Sequence, residues 1–321
     1  MHGSVIGRRT MFTLAGAAVL GVLGTARPAS AAQVVTVGVG DRPGPVAVNS
    51  VTGKVYVANS AAGTVSVLDG RGVVATVRVG DAPAGVAVNQ ATNRVYVAGP
   101  AAGTVTVLDG GNDGVLGVVG AGPGASALAV DEAANRVYAG SATSGSVAII
   151  DGVSSTLIAI VPGPGKGFSG VSVDQGRHLV YLASLYTDTV EILDTASATF
   201  TGSVKVGRGP AGLGTHPASD RVYVSNSGIH HLSIVDGATR AELPHVLLRS
   251  EASSVAVHQA TNTVYTNGGP NGVVKVDGAR GLLTGELSLG VNPGDVAVDQ
   301  RTGTVYVTDP LHDLVAVITG F

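Results

Sequence analysis

Cysteine and tryptophan are absent from this chain, phenylalanine occurs four times and methionine twice, and charged residues make up only 13%. Without cysteine there is no disulfide framework, no thiol nucleophile and no Cys-ligated zinc or thioether-linked haem. Without tryptophan, and with so few other aromatics, a core has to be built mostly from Val, Ala, Leu and Ile. Sparse charge beside 45% hydrophobic residues excludes a disordered chain. Glycine, by contrast, is abundant at 48 residues. It recurs at fixed places between Val-rich runs, which is the pattern of many short strands joined by tight turns.

The first 31 residues stand apart. Arg8 and Arg9 precede an apolar run from Met11 to Gly24, followed by Arg27-Pro28 and the small-residue site Ala29-Ser30-Ala31. This layout predicts a signal peptide over residues 1–31 with cleavage before Ala32. The run is shorter than the ~20 residues of a membrane span, so no transmembrane segment is expected after its removal. The arginine pair resembles a twin-arginine signal, with Phe12 one place late, so that route and general export both stay open. Loss of Arg8, Arg9 and Arg27 leaves 16 of the 19 basic residues against 22 acidic ones, a net charge of −6. Nucleic acid, which needs a basic face, is disfavoured as a partner.

Residues 32–321 read as one domain of internal repeats. Tyr56 recurs as Tyr96, Tyr138, Tyr181, Tyr223, Tyr265 and Tyr306, at separations of 40 to 43 residues. A hydrophobic triplet with a small centre precedes each tyrosine, from Val46-Ala47-Val48 to Val296-Ala297-Val298. A run closing on Asp follows it, as in Val65 to Asp69, with partners at Asp109, Asp151, Asp194, Asp236 and Asp277. A fourth run such as Val73 to Val79 completes the unit. Each run is short, β-branched and bounded by Gly, Asn, Asp or Pro, so each unit predicts four strands, a to d.

Seven such units predict an all-β, seven-bladed β-propeller with four antiparallel strands per blade and strand a innermost. The last unit stops at Phe321 after three strands, while residues 34–39 match an unattached strand d. The N-terminal strand is therefore expected to complete the last blade and close the ring, which removes two open edges.

The recurring Val-Tyr-Val-Ala-Asn block, with Pro-x-Gly before strand a and Asp-Gly after strand c, resembles the YVTN family of β-propeller repeat proteins over nearly all of residues 33–321. That resemblance implies the fold. It includes bacterial surface-layer propellers and exported proteins, and the broader superfamily contains lactonase-like hydrolases, so it implies little about activity.

The repeated aspartates occupy one equivalent position before a turn, and turn formation accounts for them. His216 and His258 fall where other units carry Asn or Asp at the exit of strand a, again a polar turn position. His230, His231 and His312 have no metal-ligand spacing, and no metal or other cofactor is expected. Gly163 to Gly167 lacks the helix that a phosphate loop needs.

Variation is concentrated elsewhere. Loops of the first three units are small, whereas units four to six carry Lys166, Phe168, Tyr186, Asp188, Arg208, His230, His231 and Arg249, which are taken as ligand- or partner-binding residues on one loop face. The expected function is an exported, non-enzymatic scaffold, secreted or at the cell surface and monomeric, that binds a protein, glycan or small ligand. The alternative is a lactonase- or lyase-like enzyme at the channel mouth, with Asp295, Glu251, Arg208, Arg249 and His230 as candidates. Asp295 stands out because it replaces the Gly, Ala or Ser of other units just before strand a.

Overall fold

In a computed structural model, residues 31–70, 72–269, 272–290 and 293–321 are described. The predicted signal peptide lies outside them except for Ala31. Seven four-stranded antiparallel sheets form a ring. Blades 1 to 6 span residues 43–78, 85–120, 125–162, 168–205, 210–247 and 255–288, with strands a to d in chain order. Blade 7 combines strands within 296–319 with Gln33–Gly38. Each strand a touches strand a of both neighbouring blades, including blade 7 against blade 1. The seven-bladed propeller expected from the repeats is thus the observed fold.

Turn chemistry explains the hairpins. A residue in the turn leading into strand b has positive φ in all seven blades: Gly53, Asn93, Asn135, His178, Asp220, Asn262 and Gly303, between +48° and +78°. Gly, Asn and Asp tolerate this left-handed conformation best, and His178 is the exception. After strand c the aspartates act as expected. Asp151 Oδ1 accepts the amides of Val153 and Ser154 at 2.9 and 2.8 Å, and Asp194 and Asp236 repeat the motif. These backbone donors hold the three carboxyls below their ordinary pKa.

The repeating tyrosine joins one blade to the next. Tyr56, Tyr96, Tyr138, Tyr181 and Tyr223 are fully buried. Burial raises the pKa of each phenol, and Tyr181 is pushed up to about 12. Tyr223 of blade 5 donates its hydroxyl to Asn262 Oδ1 of blade 6 at 2.8 Å. Gly278, after strand c of blade 6, donates its amide to the Asn262 carbonyl at 2.9 Å. A Cβ on Gly278 would lie 2.3 Å from the Tyr223 hydroxyl. Gly237 meets Tyr181 in the same way, with a Cβ distance of 2.8 Å. The Tyr and the Asp-Gly of the repeat are therefore two halves of one joint between blades.

Ring closure uses the terminal strand. Gln33–Gly38 pairs antiparallel with Leu314–Thr319, Gln33 opposite Thr319 and Gly38 opposite Leu314. The seam between blades 7 and 1 is further bonded by Arg42 N to Asp313 Oδ1 at 2.8 Å, Thr308 Oγ1 to the Gly44 carbonyl at 2.9 Å, and Gln300 N to Ser50 Oγ at 2.8 Å. Val37 and Val39 pack on a core cluster that holds Val46, Val55, Ala297 and Val315.

Two outcomes follow. Removing residues 33–38 from the signal-free protein is expected to cost at least about 3 kcal/mol in denaturant unfolding, since it opens a core as well as a sheet edge. An unchanged midpoint would reject the closure. Gly278→Ala is expected to cost about 1–3 kcal/mol by overpacking the joint. Gly117→Ala, whose Cβ would meet nothing within 4 Å, should stay within about 0.5 kcal/mol.

Candidate functional site

Strand a is the inner edge of every blade, so its first residues surround the ring's axis. There they line an open cavity of about 360 Å³. One column of the repeat, just before the hydrophobic triplet, contributes Pro45, Gly85, Ala127, Gly170, Gly212, Ser254 and Asp295, and all seven line the cavity. The column is crowded. A Cβ on Gly85 would lie 2.0 Å from the Ser126 carbonyl of the next blade, and one on Gly170 would lie 2.2 Å from the Ala211 carbonyl. The absence of a side chain is therefore a steric requirement at Gly85, Gly170 and Gly212, whereas blade 1 carries Pro45 in this column.

Blade 7 departs from this rule. Its strand a is only Val296–Val298, against Pro43–Asn49 in blade 1, and Asp295 precedes it outside regular pairing. The Asp295 Oδ2 accepts the Val46 amide of blade 1 at 2.9 Å. Oδ1 accepts the hydroxyl of Ser254 in blade 6, a very short contact. Ser254 Oγ in turn accepts the Val296 amide at 2.9 Å, and the Asp295 amide donates to Thr308 Oγ1 at 2.8 Å. One carboxylate therefore brackets three blades. The residue is half-buried at the cavity wall, yet its carboxyl group is enclosed, and burial outweighs the donors to raise its pKa.

The other enzyme candidates do not share this cavity. Of Asp295, Glu251, Arg208, Arg249 and His230, Asp295 alone lines it. Arg249 pairs at 2.9 Å with Glu286 on the outermost strand of blade 6. Arg208 Nε donates to the Gly228 carbonyl in the b–c loop of blade 5 at 2.9 Å. His230 and Glu251 are exposed loop residues. A general acid and base poised across one substrate are not brought together by these five side chains.

The residues expected on the loop face divide into two groups. Lys166, Tyr186, Arg208, His230 and Arg249 are exposed there, with Tyr186 at 72% and Asp188 partly so. Tyr186 lies over Gly167, where a Cβ would come within 2.6 Å of the ring, and its amide donates to the Lys166 carbonyl at 3.3 Å. Asp188 accepts the Gly209 amide at 2.9 Å and faces Lys205 at 3.7 Å. Phe168 and His231 do not belong with them. Phe168 is fully buried in strand a of blade 4, its ring 6.1 Å from that of Phe200. His231 opens strand c of blade 5, buried and stacked on His245 at 4.2 Å, and burial lowers its pKa. Both sit one or two residues beyond the end of the loop, where side chains turn into the blade.

Sequence reasoning missed Ser254, which shares the Asp295 column, and Glu191. Glu191 is buried, its Oε1 accepting from Thr189 and Ser203 at 2.6 and 3.1 Å. Thr189, Thr187 and Ser184 continue this hydroxyl chain to the Lys166 amide, 2.7 Å from Ser184 Oγ. The available signal was a single carboxylate in a strand-c column otherwise filled by Ser66, Thr106, Ala148, Ser233, Val274 and Ala316. The histidines at the exit of strand a are turn residues, as expected. His216 bonds Ser219 Oγ at 2.7 Å and the Gln259 carbonyl at 2.9 Å. Among the described residues, no group of three His, Cys, Asp or Glu is placed to hold a metal ion, and no helix is long and apolar enough to cross a membrane.

No protein-family model and no curated protein matches the chain. Among solved structures it is similar to hydrazine synthase of Kuenenia stuttgartiensis, with a TM-score of 0.78 and 14% identity over 87% of this chain and 95% of that one. At that identity the likeness shows a shared propeller fold and nothing about chemistry.

The raised pKa of Asp295 carries a signed consequence. Its folded value lies above its unfolded value of about 4, so this group favours folding most when protonated and loses that contribution as pH rises through the folded pKa. Asp295→Asn, which can accept from Val46 and donate to Ser254, should therefore lose less stability than wild type as pH rises above about 4 in thermal unfolding. Parallel pH profiles would show that the carboxylate is not a buried burden.

Proposed function

We propose that the protein is an exported, non-enzymatic binding scaffold of YVTN-type repeats that engages an acidic glycan through the loop face of blades 4 and 5. The observation that carries this reading is Tyr186, 72% exposed yet seated on Gly167, with Lys166 and Arg208 in loops of the same face and Lys205 at the end of strand d of blade 4. An aromatic face held flat by a glycine offers a stacking platform for a sugar ring, and adjacent cations suit carboxylates. Anchoring of the Lys166 backbone by the Ser184–Glu191 hydroxyl chain keeps that loop in place before any partner arrives. The leader-like residues 1–31 support export to a secreted or cell-surface location, and the seven in-phase Tyr blocks support the repeat type.

The lactonase- or lyase-like alternative is the weaker reading, because Arg208, Arg249, His230 and Glu251 stay outside the cavity that Asp295 lines. Immobilised signal-free protein should retain polyuronate over neutral dextran, less so as salt rises. The triple variant Lys166→Ala, Tyr186→Ala, Arg208→Ala should weaken retention at least about tenfold, roughly 1.4 kcal/mol, while Asp295→Asn leaves it unchanged. Undiminished retention by the triple variant, no retention by wild type, or lactone turnover lost in Asp295→Asn would each overturn the proposal.

A further inference from the structure

The central cavity is a second place with chemistry of its own, separate from the loop face of blades 4 and 5. Its wall has one charged side chain among the described residues, Asp295. That carboxylate has hydrogen bonds to Ser254 and Val46 but no ion pair with any described cation. Its two oxygens offer about four lone-pair sites, and the donors Ser254, Val46 and Val296 leave part of that capacity free. Ser253 and Ser254 lie in the same wall and extend this polar corner. Elsewhere the wall is mostly glycine, alanine and serine, among which Val86, Leu128, Val171, Leu213 and Val255, the leading residues of the hydrophobic triplets, supply the aliphatic groups. The cavity therefore joins an anionic corner to a mixed wall in which a few aliphatic side chains stand among backbone and hydroxyl groups.

We propose that this cavity is a binding site for a small amphiphilic ammonium ion, with its charge at Asp295 and its alkyl part against Leu128, Val171 and Leu213. The size fits: about 360 Å³ corresponds to on the order of ten waters and lies at the small end of ligand pockets. The charge fits as well. An enclosed carboxylate with no counter-ion is costly, and a cation beside it relieves that cost, whereas an anion would add repulsion. A hard inorganic cation suits the wall less well, because it calls for six to eight oxygen ligands and no cluster of carboxylates is present among the described residues. An ammonium group needs only three acceptors, which the carboxylate and the neighbouring serine or backbone oxygens can supply. A short alkyl part gains from contact with Leu128, Val171 and Leu213, which an inorganic ion would leave unused.

Signal-free wild-type protein should bind n-butylammonium in calorimetry and show a concentration-dependent rise in thermal midpoint. 1-Butanol and KCl at matched concentration should not reproduce either effect. Asp295→Asn should weaken butylammonium binding at least tenfold while remaining folded by circular dichroism. Ser126→Leu, which adds bulk to the wall from blade 3, tests the site without touching the carboxylate and should also abolish binding. The proposal is overturned if wild type ignores butylammonium, if 1-butanol binds equally well, if KCl displaces butylammonium mole for mole, or if Asp295→Asn binds like wild type. None of these results depends on glycan retention at Tyr186, so the two proposals fail separately.

Discussion

Each blade is held to the next where a buried tyrosine reaches the turn of its neighbour. The hydroxyl of Tyr223 meets Asn262, a residue in the left-handed conformation, and Gly278 beneath it leaves room for the contact. Three features that look separate in the repeat, the Tyr of strand b, the Asn or Asp before strand b and the Gly after strand c, belong to one interface. Two of the tyrosine hydroxyls, on Tyr56 and Tyr181, are buried without a hydrogen-bond partner among the described residues. The joint therefore relies on packing the ring more than on its hydroxyl, in keeping with a core that has almost no other aromatic residue. Because the joint repeats around the ring, stability is spread over many nearly equal interfaces and no single one dominates.

Asymmetry then becomes informative. Six blades fill the column beside the axis with small residues or proline, and the seventh places a carboxylate there. The same blade is assembled from both ends of the chain, and its inner strand is the shortest. Its irregularity gives Asp295 space that the carbonyls next to Gly85 and Gly170 deny elsewhere. On the loop face the departure lies in blades 4 and 5, where Gly167 and the Glu191 hydroxyl chain fix a segment that carries Tyr186 and Lys166. Both departures are supported by the regular scaffold and neither disturbs it.

The fold was almost wholly legible in the sequence because strands, turns and closure depend on local chemistry repeated seven times. Val, Tyr and Asp in phase mark strands and turns, and an unattached strand d at one end of the repeat array with a three-stranded unit at the other implies the closure later seen between Gln33–Gly38 and Leu314–Thr319. The site was legible only in part. Asp295 could be singled out as the odd member of a column, but its partners Ser254 and Val46 are 41 and 249 residues away and meet only because the ring closes. Phe168 and His231 were misplaced because one residue decides whether a side chain at the end of a strand faces solvent or the blade. The distance of Arg249 from the axis was not readable at all, since it depends on a salt bridge to the outer strand.

The pairing of Gln33–Gly38 with Leu314–Thr319 also governs how the molecule responds to force. Gln33 faces Thr319, so the two chain ends leave the same end of an antiparallel pair. Tension between them loads the hydrogen bonds one after another from that end, which peels the strand away instead of shearing all its bonds together. A ring whose interior is buttressed on every side thus has its mechanical weak point at the outer edge of blade 7. The same geometry places the ends close enough to be joined by a short linker. A circular permutant opened between strands c and d of another blade would keep all seven sheets and move that weak point to a position of choice.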